Sequence, residues 1–232
     1  MILKKTVFFC FFTFVLSFSF SETLSSSPLL RGISPSLQPE VKKLLEKENV
    51  HTLVSSLDTL LQKATLTTDK EILSCFGASL YKLMGDFPKA SLWYEKTAQF
   101  ASEEKGISYI LASVQCSLTE GNTTKADTLL KSVSKKTVSQ LQKNLIKVYA
   151  LWSWIYKTEK TEDLYEPLVI LESYTSVESM KDMHPSLLLI LFSLTQKDAY
   201  KESLLKKFPN SPEALIIKEK AQFLPGPFWY LY

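Results

Sequence analysis

From Val41 to Ile155, apolar residues recur at steps of three and four, the spacing of one helix face rather than of a strand. Val41, Leu44 and Leu45 open the series, and Leu53, Val54, Leu57, Leu60, Leu61 and Ala64 continue it. Ile72, Leu73, Phe76, Leu80 and Leu83 follow, then Ile110, Leu111, Val114 and Leu118, then Leu141, Leu145, Val148 and Trp152. Polar breaks at Thr67-Thr68-Asp69, Gly85-Asp86, Gly121-Asn122 and Asn210-Ser211-Pro212 separate the blocks. Asp69, Asp86, Asn122 and Ser211 stand where helix N-caps belong. No alternating run flanked by hairpin turns interrupts the pattern, so the predicted fold class is all-α.

Composition narrows what such helices do. Six glycines in 232 residues is about 2.6%, against a usual ~7%, which argues against glycine-rich phosphate loops. Two His and three Cys, without CxxC or HxxxH spacing, give no zinc pattern, so neither metal nor cofactor is expected. Arg31 is the single arginine, and bidentate contacts to phosphate or guanine need more. Lys135-Lys136 and Lys206-Lys207 read as solvated helix faces. Nucleic acid is therefore not expected as a partner.

The N-terminus carries the pattern of an export signal over residues 1–21. Lys4 and Lys5 precede fifteen uncharged, mostly apolar residues from Thr6 to Phe20, and Ser19 and Ser21 supply small side chains before Glu22. Fifteen residues fall short of the ~20 that span a bilayer, so cleavage is the first expectation and an uncleaved membrane anchor the alternative. Without the signal the charges are 25 basic against 24 acidic, close to neutral. Residues 22–38, rich in Ser and Pro, read as a flexible linker. Structure is expected from Pro39, a good first helical residue. Residues 39–224 form the expected helical domain, and 225–232 an aromatic tail after Pro225-Gly226-Pro227.

Self-comparison gives a period. Gly85 and Gly121 are 36 residues apart, and so are Ala90 and Ala126. A glycine ends the first helix of a hairpin in a left-handed turn, and the alanine keeps the second helix thin where it crosses the first. The best copy runs Ala78-x-x-Tyr81-x-x-x-Gly85-Asp86-Phe87-Pro88-Lys89-Ala90, with Tyr94 following. This order and spacing resembles the tetratricopeptide (TPR) repeat, departing from it at Thr97, where the family usually has Ala. A second copy keeps Val114, Ser117, Gly121, Ala126 and Leu130, while a third, around Ala150 and Ser153, has Lys157 at the turn and Glu162 at the alanine position. Tyr200 to Ala214, with its Phe208-Pro209-Asn210-Ser211-Pro212 junction, is also similar to bacterial envelope TPR proteins.

The resemblance implies a right-handed solenoid of stacked antiparallel hairpins that binds a protein or peptide along the concave face of its first helices. That face would carry Ser79 and Lys82, Gln115 and Leu118, and Lys147 and Trp154. Ala78, Tyr81, Gly85, Ala90, Tyr94, Gly121 and Ala126 would pack the repeats. The tail residues Phe228, Trp229, Tyr230 and Tyr232 offer a second binding element, or a cap folded back on the last hairpin.

Catalytic patterns are sparse. Glu103-Glu104 and Glu162-Asp163 with Glu166 lie at helix starts, where negative charge needs no further role, and no GxSxG or HExxH occurs. Cys75 and Cys116 occupy different positions on neighbouring helices and read as unpaired thiols. The leading expectation is an exported, non-enzymatic adaptor or scaffold, periplasmic first and inner-membrane-anchored or secreted otherwise, with a protein partner in a bacterial cell envelope. The membrane enters only through an uncleaved signal. A self-assembling structural or surface-exposed helical protein is the alternative.

Overall fold

The computed structural model describes residues 28–46, 49–136, 139–160 and 162–220. The described residues contain helices and no strand. In chain order the α-helices are α1 (Pro28–Gly32), α2 (Gln38–Leu45), α3 (Val50–Lys63), α4 (Thr67–Leu83), α5 (Phe87–Ala98), α6 (Glu103–Glu120), α7 (Thr123–Val133), α8 (Gln140–Lys157), α9 (Tyr165–Tyr174), α10 (His184–Thr195), α11 (Asp198–Lys207) and α12 (Pro212–Ile217). Two 3-10 turns, Glu162–Leu164 and Glu178–Met183, precede α9 and α10.

The same turn is used twice, 36 residues apart. Gly85 (φ 75°) and Gly121 (φ 83°) adopt the left-handed conformation that costs a residue with a Cβ. The Asp86 N–H donates to the Tyr81 carbonyl at 2.9 Å and the Asn122 N–H to the Ser117 carbonyl at 2.8 Å. These bonds satisfy carbonyls left over at a helix end. The next residue then starts the following helix: the Asp86 carboxylate accepts from the Lys89 N–H, and the Asn122 side chain from the Lys125 N–H. Ser211 caps α12 in the same way, and Ser139 forms a capping box with Gln142 at α8. Asp69 does not cap a helix. It lies in the first turn of α4, whose N-cap is Leu66.

Packing follows chain order, each helix from α3 to α8 meeting the next, and α6 also meeting α8. Ala78, Ala90 and Ala126 are fully buried, as are Val114 and Leu57. Tyr94 is buried, and Tyr81 stacks at a tilt on Trp93 with ring centroids 5.8 Å apart. Gly77 serves the same crossing, because a Cβ there would lie 2.4 Å from Trp93 Cε3 and Cζ3. Helix α6 is a shared wall. Its Cys116 belongs to the core built by α1–α5, while Ile107, Leu111, Val114 and Leu118 belong to the core that continues through α10. A smaller cluster of Leu188, Leu189, Leu204 and Ala214 joins α10, α11 and α12.

Two expectations need correction. The expected linker is folded from Pro28 onward: Ile33 and Leu37 are 3% and 7% exposed, and structure begins well before Pro39. The Asp69 carboxylate holds this segment, accepting from the Ser34 N–H at 2.9 Å and the Ser34 hydroxyl at 2.5 Å. Leu29, Leu30, Ile33 and Leu37 carry a helical spacing that the surrounding Ser and Pro obscure. The second correction concerns the third repeat. Ala78 and Val114 are fully buried, but Ala150 is exposed. Lys157 cannot make the glycine turn, so Thr158 leaves α8 extended (ψ 121°) and the next helix starts late, at Tyr165. The expected signal segment, residues 22–27, the end of the helical domain after Lys220 and the tail from Pro225 lie outside the described residues. No described helix is long and apolar enough to cross a membrane.

Candidate interaction surface

Polar contacts between successive hairpins fix how the first helices sit. On the α4 side of α6, Lys105 Nζ pairs with Glu71 Oε1 at 3.3 Å and the Tyr109 hydroxyl donates to the same oxygen at 3.1 Å. Further along this contact Cys75 lies beside Tyr109, and Cys116 beside Lys82. On the α8 side, Gln142 Nε2 donates to the Ser108 hydroxyl at 3.0 Å and to the Glu104 carbonyl at 2.8 Å.

Second helices join the following first helices through a polar seam, buried at Ser91 and half-open at Asp127. Ser91 on α5 bonds Ser113 and Ser117 on α6 at 2.7 and 3.2 Å, and Asp127 on α7 accepts from Ser153 on α8 at 2.6 Å. The Ser91–Ser117 and Asp127–Ser153 pairs are related by 36 residues at both ends. Lys125 reinforces the first seam through Glu95, and Lys157 the second through Asp127. Partial burial opposes ionisation of Asp127, but the bonds from Lys157 and Ser153 outweigh it and hold the carboxyl below its ordinary value.

Burial governs the titratable groups on the first helices. It pushes the Lys82 ammonium down to about 8, with the Cys116 thiol opposing, and pushes that thiol up to about 11. Cys75 is raised by burial as well. Thiols held protonated are poor nucleophiles. The two cysteines are free, and the contacts above set them seven residues apart along the α4–α6 pairing. That is about 10 Å at 1.5 Å per residue, beyond the reach of a disulfide.

The six expected groove residues do not share one face. Ser79 is exposed and Lys82 half-buried on α4. Gln115 is 4% exposed and Leu118 fully buried, so neither meets a partner. The cause is α8: residues seven apart share a stripe, and Gln115 follows Ser108 on the stripe that α8 covers. Gln115 Nε2 has no acceptor in that position. Lys147 and Trp154 are exposed but belong to the outer side of α8 with Lys143 and Ala150. What remains open on the first helices includes Ser79, Lys82 and the 74%-exposed Leu83 on α4, with Glu103, Glu104, Lys105, Ser108, Thr119 and Glu120 on α6. Lys105, Thr119 and Leu83 escaped the sequence reading, which fixed the groove by motif position rather than by what each neighbouring helix covers. The four tail residues Phe228, Trp229, Tyr230 and Tyr232 lie outside the described residues.

Comparison with known proteins adds two similarities. A family model described as "TP_0752_M: middle domain" matches residues 156–232, from the last turn of α8 onward. An uncharacterized protein of Treponema pallidum (strain Nichols) is 24% identical over 234 residues, an alignment covering all of this chain and 58% of that relative. The chain thus spans little more than half the relative's length. No solved structure matches.

Proposed function

We propose that the protein is an exported, non-catalytic helical-repeat adaptor, a TPR-like right-handed solenoid whose first helices hold a protein partner in the cell envelope. The observation that carries this reading is the recurrence of one stacking contact 36 residues on, Ser91–Ser117 followed by Asp127–Ser153. The repeated turns at Gly85 and Gly121 support it. Such repeats cannot enclose their apolar faces singly, and stacking them leaves a ladder of first helices open to a ligand. The ladder here offers hydroxyls, two lysines, three glutamates and Leu83, a mixed surface suited to a peptide segment rather than to a polyanion. Export to the periplasm rests on the N-terminal pattern, with membrane anchoring through an uncleaved signal or secretion as the other destinations.

Crosslinking capture from the native envelope tests the reading. Ser79→Glu with Leu83→Glu, both at exposed positions, should abolish recovery of the captured protein while leaving helicity unchanged. Equal recovery by wild type and variant would remove the first-helix face from the account.

A further inference from the structure

The outer side of α8 is unlike the rest of the stack. Its sequence, Gln140 to Lys157, contains three lysines and no acid. Lys143, Lys147, Ala150 and Trp154 follow one another at steps of four, three and four, so they form one stripe, and all four are exposed. Equivalent positions in the two preceding repeats, Ala78 and Val114, are fully covered. The stripe is left open because the hairpin turn is missing at Lys157.

The next stretch has the opposite character. From Glu162 to Tyr174 there are four acids and no base. Leu171 turns into the core, while Tyr165 is 73% and Val169 46% exposed with Glu166 beside them. Glu162 and Asp163 extend the acidic end. Among the described residues none of Lys143, Lys147, Glu162, Asp163 and Glu166 has an ion-pair partner; Lys157, by contrast, is paired with Asp127.

We propose that these two faces form an interface with a second copy of this chain, the basic stripe of α8 in each protomer lying on the acidic face of α9 in the other. Three observations select a second copy. The charges are complementary, lysines at one face and carboxylates at the other. The lengths agree, since residues 143 to 154 span about 16 Å and the ten residues of α9 about 15 Å at 1.5 Å per residue. Each face also carries its own apolar contact, Trp154 over the gap at Ala150 on one and Tyr165 with Val169 on the other. Because both faces belong to one chain, a twofold axis makes the contact twice and closes the assembly at a dimer. The open residues of α4 and α6 stay free, so the pairing does not depend on the adaptor reading.

Sedimentation equilibrium of the full chain over roughly 1 to 200 μM tests this directly. Wild type should show the mass of two chains, with a dissociation constant that rises as salt screens the contact. Lys143→Glu with Lys147→Glu should raise that constant at least about tenfold, and so should Glu162→Lys with Asp163→Lys and Glu166→Lys. Mixing the two reversed variants should restore the dimer, since each then offers the face the other needs. A monomeric wild type throughout this range overturns the proposal, as would a wild-type dimer indifferent to salt or reversed variants that stay dimeric. If a reversed variant fails to fold, the salt dependence of the wild type alone decides. A monomer that nevertheless binds an acidic helical peptide through Trp154 would hand the face to another protein and reject the second copy.

Discussion

Replacing Gln115 with Met should make the protein more stable. The amide is 4% exposed under α8, and its Nε2 has no acceptor. A buried donor without a partner costs about 1–3 kcal/mol relative to one left in water. Methionine matches glutamine closely in length and in helix propensity, so the exchange removes that cost while opening no cavity. The expected gain is about 1–3 kcal/mol, which for a folded region of this size is roughly a 2–12 °C rise in Tm. Urea unfolding followed by far-UV circular dichroism should show a higher midpoint with an unchanged slope, and partner capture should be unaffected. A loss of 1 kcal/mol or more would mean that the amide has a partner, and the inward orientation of this stripe would be wrong. Gln115→Ala makes the contrasting control, since the cavity it opens should cancel or reverse the gain.

Lys82 gives a pH signature. Its ammonium titrates near 8 in the folded protein against 10.5 in the unfolded chain, so the unfolded state binds more protons between those values and stability from this group rises across that window. Below pH 8 the full cost of the charged, half-buried side chain is present, about 1–2 kcal/mol once partial exposure is allowed for. Lys82→Met should flatten the rise in Tm between pH 8 and 10, and an unchanged slope would contradict it. Gly77→Ala gains about 1 kcal/mol of helix propensity but forces Trp93 aside, for a net loss of about 1 kcal/mol and a shift in tryptophan emission; clear stabilisation would refute the tight crossing. Asp69→Ala leaves the Ser34 N–H without its acceptor and should cost about 1.5–3 kcal/mol. Faster hydrogen exchange over residues 33–37 should accompany it, and unchanged protection there would refute the clasp.

Helix positions were legible because a three-and-four spacing of apolar residues is a local signal, and so were the turns at Gly85 and Gly121. Asp86, Asn122 and Ser211 cap helices as their places in the sequence predict. What the sequence hid depended on neighbours far away in the chain. Asp69 looks like a cap until Ser34, 35 residues earlier, is seen to use its carboxylate. Gln115 and Leu118 occupy positions that face a ligand in a regular array, but which side of a first helix stays open depends on how the following hairpin leans. Residues two apart on a helix face nearly opposite sides, and Trp152 is buried while Trp154 is 40% exposed. The unpaired outer side of α8 was foreshadowed by Lys157 in place of a turn glycine.

The stacking register is the claim on which the account of every surface rests, and engineered cysteines measure it most directly. In a background of Cys75→Ser and Cys116→Val, two pairs are introduced separately: Ser91→Cys with Ser117→Cys, and Asp127→Cys with Ser153→Cys. The Ser91 and Ser117 hydroxyls now approach to 3.2 Å and the Asp127 carboxylate reaches the Ser153 hydroxyl at 2.6 Å, so the introduced thiols lie within the span of a short thiol-to-thiol crosslinker. The crosslinker should join both pairs within one chain, seen by mass, and should leave the mismatched pair Ser91→Cys with Ser153→Cys unlinked. Failure of either matched pair, or closure of the mismatched one, would contradict the 36-residue stack.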